Sequence, residues 1–125
     1  MIKGVIVSRR EEKYNLYLND LKKYESSVDE DLLALIVFHL GPAIYRTDAE
    51  VVSCSNGDEL DRVRNNFLKK KLGLSESDEK LNASIQTVCK KMGQSNRHKY
   101  RASFYYLLTK MYEKESVLGV EETAL

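Results

Sequence analysis

Four side chains in this sequence belong to the types most often recruited for covalent or metal chemistry: Cys54, Cys89, His39 and His98. Cys54 lies in the polar stretch Ser53-Cys54-Ser55-Asn56-Gly57, just ahead of an expected helix start. Unpaired amides and the positive end of the dipole at such a start stabilise a thiolate. No histidine or second cysteine adjoins it in sequence to activate or resolve it. The weight falls on a small half-buried residue that pins a loop, and an enzyme with a reactive Cys54 is the least favoured reading. Cys89 falls on the apolar side of its expected helix, where a thiol packs as a small hydrophobe. A zinc site from these four would lack the ligand pairs, a few residues apart, that such sites show. His39 suits the end of a helix, where it can cap carbonyls. Asp58, Glu59 and Asp61 follow Gly57 instead of surrounding a glycine, so they read as first-turn acids and not as a calcium loop. Glycine-rich phosphate loops and serine-nucleophile motifs are absent from the sequence. We therefore expect no catalytic residue, no metal and no cofactor.

The basic residues carry the more interesting signal. Lys69, Lys70 and Lys71 close one expected helix, Lys90 and Lys91 close the next, and Arg97, His98, Lys99 and Arg101 open the last. Cations at a helix C-terminus complement its dipole and need no further explanation. Cations at a helix start oppose the dipole, which points to a second role for the third group. If these ends gather, Lys69, Lys70, Lys71, Lys90, Lys91, Arg97, Lys99 and Arg101 form a phosphate-binding patch. Tyr105 and Tyr106 would offer stacking, with one of them expected inside the core. The competing expectation is that the acidic part of the chain folds against the basic part. From Arg62 to Lys110 there are 12 basic and 3 acidic residues, and elsewhere 8 basic and 16 acidic. The net charge of +1 alone points to no polyanionic partner.

These side chains must be positioned by helices. Apolar content of 42% and charged content of 31% in 125 residues suit a single globular domain. The longest apolar run, Leu32 to Phe38, is too short to span a bilayer, and Val5-Ile6-Val7 lacks the features of a secretory signal. Two cysteines without close pairing fit reduced thiols in a cytoplasmic protein, with a disulfide left open. Small polar residues recur three positions before acids: Ser8–Glu11, Ser27–Glu30, Thr47–Glu50, Ser55–Asp58 and Ser75–Asp78. That spacing marks capped helix starts. The apolar periodicity predicts helices over Arg9–Tyr24, from Ser27 to Leu40, over Asp58–Leu72, Asp78–Met92 and Arg97–Lys114. One or two short turns fall between Ala43 and Val52. Gly41, Gly73 and Gly93 stand as stops. The helix ending at Leu40 is apolar nearly all round and is expected at the centre of the domain. Residues 1–8 and 115–125 are expected to be poorly tied down, with Leu118 among those able to dock locally. The fold class is all-α: a compact orthogonal bundle of five main helices.

Several phrases resemble a known family. They are His39-Leu40-Gly41, Val52-Ser53-Cys54, Glu59-Leu60-Asp61-Arg62-Val63-Arg64 and the run from Phe67 to Gly73-Leu74. Val88-Cys89-Lys90-Lys91-Met92 and Arg101-Ala102-Ser103-Phe104-Tyr105-Tyr106-Leu107-Leu108 belong with them. Together, from about Leu21 to Tyr112, the chain resembles small bacterial proteins grouped as domain of unknown function number 2853. The resemblance implies a compact all-helical orthogonal bundle and transfers no activity and no site residue. The expected function is non-enzymatic binding of a macromolecule, with a protein partner first, nucleic acid as the alternative, and no membrane.

Overall fold

A computed structural model describes residues 8–123, and for residues 120–123 the backbone alone. The expected loose lead-in at residues 1–7 and the last two residues of the tail lie outside the described residues. Helix α1 (Arg9–Leu21) opens at Ser8 as its sequence dictates. The Ser8 hydroxyl accepts from the Glu11 amide at 3.1 Å, and the Glu11 carboxylate accepts from the Ser8 amide at 3.2 Å. Helix α2 (Glu30–Leu40) begins later than expected. Its cap is Asp29, which accepts from the Leu32 amide, and not Ser27. A tertiary contact fixes that choice, because the Asp29 amide donates to the Tyr106 hydroxyl at 2.7 Å. Gly41, with φ at +58°, stops α2 in the left-handed region that glycine tolerates. A 3₁₀ turn (Gly41–Tyr45) and a single α turn, α3 (Thr47–Glu50), follow.

The expected helix over Asp58–Leu72 is two pieces. Helix α4 (Gly57–Arg62) is capped by Asn56 and not by Ser55. It continues as a π-helical segment (Val63–Lys71). Wider rungs there bring both Phe67 and Leu68 to the buried side with Val63. Helix α5 (Asp78–Met92) is capped by Ser77 in place of Ser75. Helix α6 (Arg101–Met111) starts four residues after the expected Arg97. The tail expected to fray from Glu115 instead forms α7 (Glu115–Thr123), with Leu118 fully buried.

The chain is all-α. Among the described residues there is no strand, only an isolated antiparallel bridge between Val51 and Tyr100. Five α-helices exceed six residues, the expected number, but α7 takes the place of the divided 58–72 helix. The expected centre, α2, packs on α1, α6, α7 and the 3₁₀ turn, and it shares that central place with α6. Helix α6 packs on α1, α2, α3 and α5, and seven of its residues are buried. Sequence alone obscures its share because two of the seven are polar. Ser103 donates to Asp20 of α1 at 2.8 Å, and Thr109 donates to the Tyr105 carbonyl at 2.7 Å, so both are satisfied inside. Among the described residues no helix is long and apolar enough to cross a membrane.

Candidate functional site

Two loops meet at the C-terminal end of α5. The first runs from Val51 to Asn56, between α3 and α4. The second runs from Gly93 to Tyr100, between α5 and α6. Gly93, at φ +103°, turns the chain out of α5. Asn96 then folds the second loop back. Its side-chain amide donates to the Met92 carbonyl at 3.0 Å and to the Tyr24 hydroxyl at 3.3 Å, while its oxygen accepts from the His98 amide at 2.8 Å. Three ties hold the first loop, one to the second loop and two to the helices that flank it. The Val52 amide donates to the Lys99 carbonyl at 2.8 Å. Arg101 donates to the carbonyls of Ala49 and Val51, at 2.7 and 3.1 Å. A disulfide links Cys54 to Cys89 of α5. Both loops are therefore braced before any ligand arrives.

Between them lies a cleft of about 450 Å³, walled by residues 51–55 on one side and by residues 94–97 with Lys99 on the other. Among the described residues its lining holds two cations, Arg97 and Lys99, and no carboxylate. Lys99 is 4% exposed, yet among described residues it forms no ion pair. Its ammonium donates to the Asn96 carbonyl at 2.7 Å. Burial lowers its pKa from the ordinary lysine value, so the charge is held at a cost. Arg97 is exposed at the rim. The hydroxyls of Ser53 and Ser55, 3.3 Å apart, supply neutral donors on the facing wall. This arrangement can neutralise and hydrogen-bond an anionic group. No histidine lines the cleft, so no nucleophile and base are paired in it.

The structure separates the basic residues that sequence reading grouped. Lys69 pairs with Asp78 at the start of α5, whereas Lys90 and Lys91 stand at its far end. Fifteen helical residues, about 20 Å, lie between them. Lys91 pairs with Glu25 at 2.9 Å. Lys71 lines a separate apolar cavity of about 120 Å³ with His39, Phe67, Tyr105 and Leu118. Lys70 and Lys90 are exposed. Arg101 is held inside by Glu59 at 3.0 Å and by the Tyr105 hydroxyl at 3.2 Å. Only Arg97 and Lys99 converge on one recess. With α6 starting at Arg101, Arg97, His98 and Lys99 belong to a loop, and their conflict with a helix dipole disappears.

The cysteines correct the expectation of reduced thiols, and with it the free reactive Cys54: both are oxidised to one disulfide, across a sequence separation of 35. Cys54 lines the cleft and Cys89 is buried in the core. His39 sits at the end of α2 with its ring edge toward Phe38, and His98 stacks near Tyr100. Among the described residues no three His, Cys, Asp or Glu side chains gather as metal ligands. Glu59 is a first-turn acid of α4, as expected, and it is also the buried partner of Arg101. Sequence reading missed Asp20, and it singled out Glu50 only as an acid at a helix start, not for its contacts with α1. Glu50 accepts from the Tyr17 hydroxyl at 2.6 Å and pairs with Lys13 at 2.8 Å. Asp20 follows Tyr17 by three positions on the buried face of α1, a periodicity that marks it as inward-facing despite its charge.

The residues that build the cleft and its ties, from Tyr24 to Tyr105, all lie inside the region that related sequences share. No curated protein matches the chain. Residues 16–116 match the sequence model described as protein of unknown function, DUF2853. The chain belongs to that family.

Proposed function

We propose that this protein is a non-enzymatic binding module whose cleft receives an acidic side chain of a partner protein. The observation that carries the reading is Lys99: it is buried, and with Arg97 it lines a recess in which no described residue supplies a carboxylate. Burial lowers the pKa of Lys99, no carboxylate among the described residues pairs with it, and a carboxylate entering the cleft would offset the cost of that burial. Nucleic acid is the weaker reading. Tight phosphate-backbone binding needs several cations in one track. Here Lys69, Lys91 and Arg101 are each paired with a carboxylate, and the lysines that close the π-helical segment lie about 20 Å, the length of α5, from Lys90 and Lys91.

The test is amide chemical-shift mapping with a short glutamate-rich peptide, a lysine-rich control, and mixed-sequence DNA and RNA at two salt concentrations. The expected result is shifts at residues 51–55 and 94–99 with the acidic peptide alone, reduced by salt and by Arg97→Gln. Shifts confined to other surfaces, or nucleic acid binding more tightly than the peptide, would reject the proposal.

A further inference from the structure

We propose that Cys54 is a covalent modification site for small thiols that carry a carboxylate, which enter the cleft and exchange with the Cys54–Cys89 disulfide. The inference rests on the anion-binding reading of the cleft and adds bond chemistry to it. Its core is that the two sulfur-bearing residues are not equivalent. Cys54 is half-buried and forms part of the cleft wall. Cys89 is 4% exposed and packs in the core between Val88 and Met92 of α5 and their neighbours. A thiolate in the cleft therefore meets Cys54, and Cys89 is the leaving side. Arg97 and Lys99 stand on the opposite wall and give the carboxylate of the incoming molecule its partner. Such focusing raises the local concentration of an anionic reactant over a neutral one.

The exchange balances without a further oxidant. The incoming thiolate bonds to the Cys54 sulfur, and the electron pair of the broken S–S bond leaves on the Cys89 sulfur, which takes up a proton. A second thiolate can then attack the small molecule's sulfur in the mixed disulfide. That step releases Cys54 as a thiolate and a symmetrical small disulfide. Two small thiols lose one electron each, and the protein disulfide gains two. The first step already frees residues 51–55 from their covalent tie to α5. The Val52–Lys99 hydrogen bond and the Arg101 contacts remain as braces. Modification at Cys54 would also fill the recess that the proposed acidic side chain uses.

The experiment treats the oxidised full chain with 3-mercaptopropionate, 2-mercaptoethanol or cysteamine, which are anionic, neutral and cationic thiols of similar size. Each rate is divided by the rate of the same thiol on an open small-molecule disulfide, which removes intrinsic nucleophilicity. Acid-quenched adducts are located by peptide mass mapping. The expected result is an adduct on Cys54, with the normalised rate falling from anionic to neutral to cationic by at least about threefold per step. Arg97→Gln, at an exposed position whose fold is checked by circular dichroism, should compress that order, as should raised salt. Adducts on Cys89, or equal normalised rates for the three thiols, would overturn the inference. Equal rates with the acidic peptide still bound would remove thiol capture alone. Equal rates with no peptide binding would remove the anion-binding reading of the cleft as well.

Discussion

Arg101 of α6 and Glu59 of α4 meet at 3.0 Å across 42 positions of sequence, with side chains 13% and 11% exposed. The same guanidinium holds the carbonyls of Ala49 and Val51 and so fixes the approach to one wall of the cleft. Removing one member of a nearly buried pair strands the other charge. Arg101→Ala should therefore cost about 3–5 kcal/mol in urea unfolding, and Glu59→Gln somewhat less. Arg101→Lys should recover only part of the loss, because an ammonium cannot reproduce the planar fork. A cost under about 1 kcal/mol for Arg101→Ala would mean that the pair is screened as a surface contact.

The start of α2 offers a sharper comparison. Asp29, and not Ser27, accepts from the Leu32 amide. Asp29→Ala should lower stability by about 1 kcal/mol, whereas Ser27→Ala should stay within about 0.5 kcal/mol. Equal effects would place the helix start where sequence spacing alone put it.

That slip explains what was legible in the sequence. The spacing of a small polar residue before an acid located Ser8 correctly, because nothing in the fold competes with it. Ser27, Ser55 and Ser75 each stand one or two positions before a better-placed cap, namely Asp29, Asn56 and Ser77. In α2 the deciding partner, Tyr106, is 77 residues away. Apolar periodicity found the cores of α1, α2, α5 and α6 but not the order of their burial. Ser103 and Thr109 made α6 look less central than it is. Of the cleft, Arg97, Lys99 and Cys54 were each visible as candidates. Their meeting depends on the loop ties and on a cysteine pairing that sequence left open.

The disulfide should contribute substantially to stability. It closes a loop with a sequence separation of 35, for which chain entropy predicts about 4 kcal/mol. Reduction, or the double change Cys54→Ser with Cys89→Ser, should lower the unfolding free energy toward that value. Residues 51–55 should lose amide protection before the centre of α6 does. Unchanged stability after complete reduction would show that the braces alone hold the loop.

Stability should fall in alkali. Burial, then the hydrogen bond donated to Glu50, raises the Tyr17 hydroxyl above its usual 10.0. Burial likewise raises Tyr14, Tyr24, Tyr100 and Tyr105. Above pH 10 the unfolded chain has lost these protons while the folded chain keeps them. The unfolded state then binds fewer protons, and stability drops as pH rises through that window. Lys99 acts in the opposite sense. Its value is lowered by burial, so between that value and 10.5 the unfolded state binds more protons and stability gains. One lysine is outweighed by five tyrosines. Urea midpoints from about pH 9 to about pH 11 should fall, and Tyr17→Phe should flatten the slope. A flat profile in the parent protein would contradict the buried hydroxyls.

The π-helical segment makes its strongest claim at Phe67. Its ring lies against that of Tyr105 with centroids 3.8 Å apart and planes 11° from parallel. Phe67 is 6% exposed, yet it also borders the apolar cavity of about 120 Å³ that Leu118 lines. Truncation there would merge the space of the lost ring with one that already exists, and the rigid helices around it limit collapse. Phe67→Ala should therefore fall at the upper end of about 3–5 kcal/mol. Phe67→Leu, which keeps most of the volume but loses the stack, should cost about 1–2 kcal/mol. The pair of variants separates volume from ring contact in one denaturation series. A Phe67→Ala cost near that of Phe67→Leu would show that the segment relaxes into the cavity, and that its wide helical rungs are not pinned by this side chain.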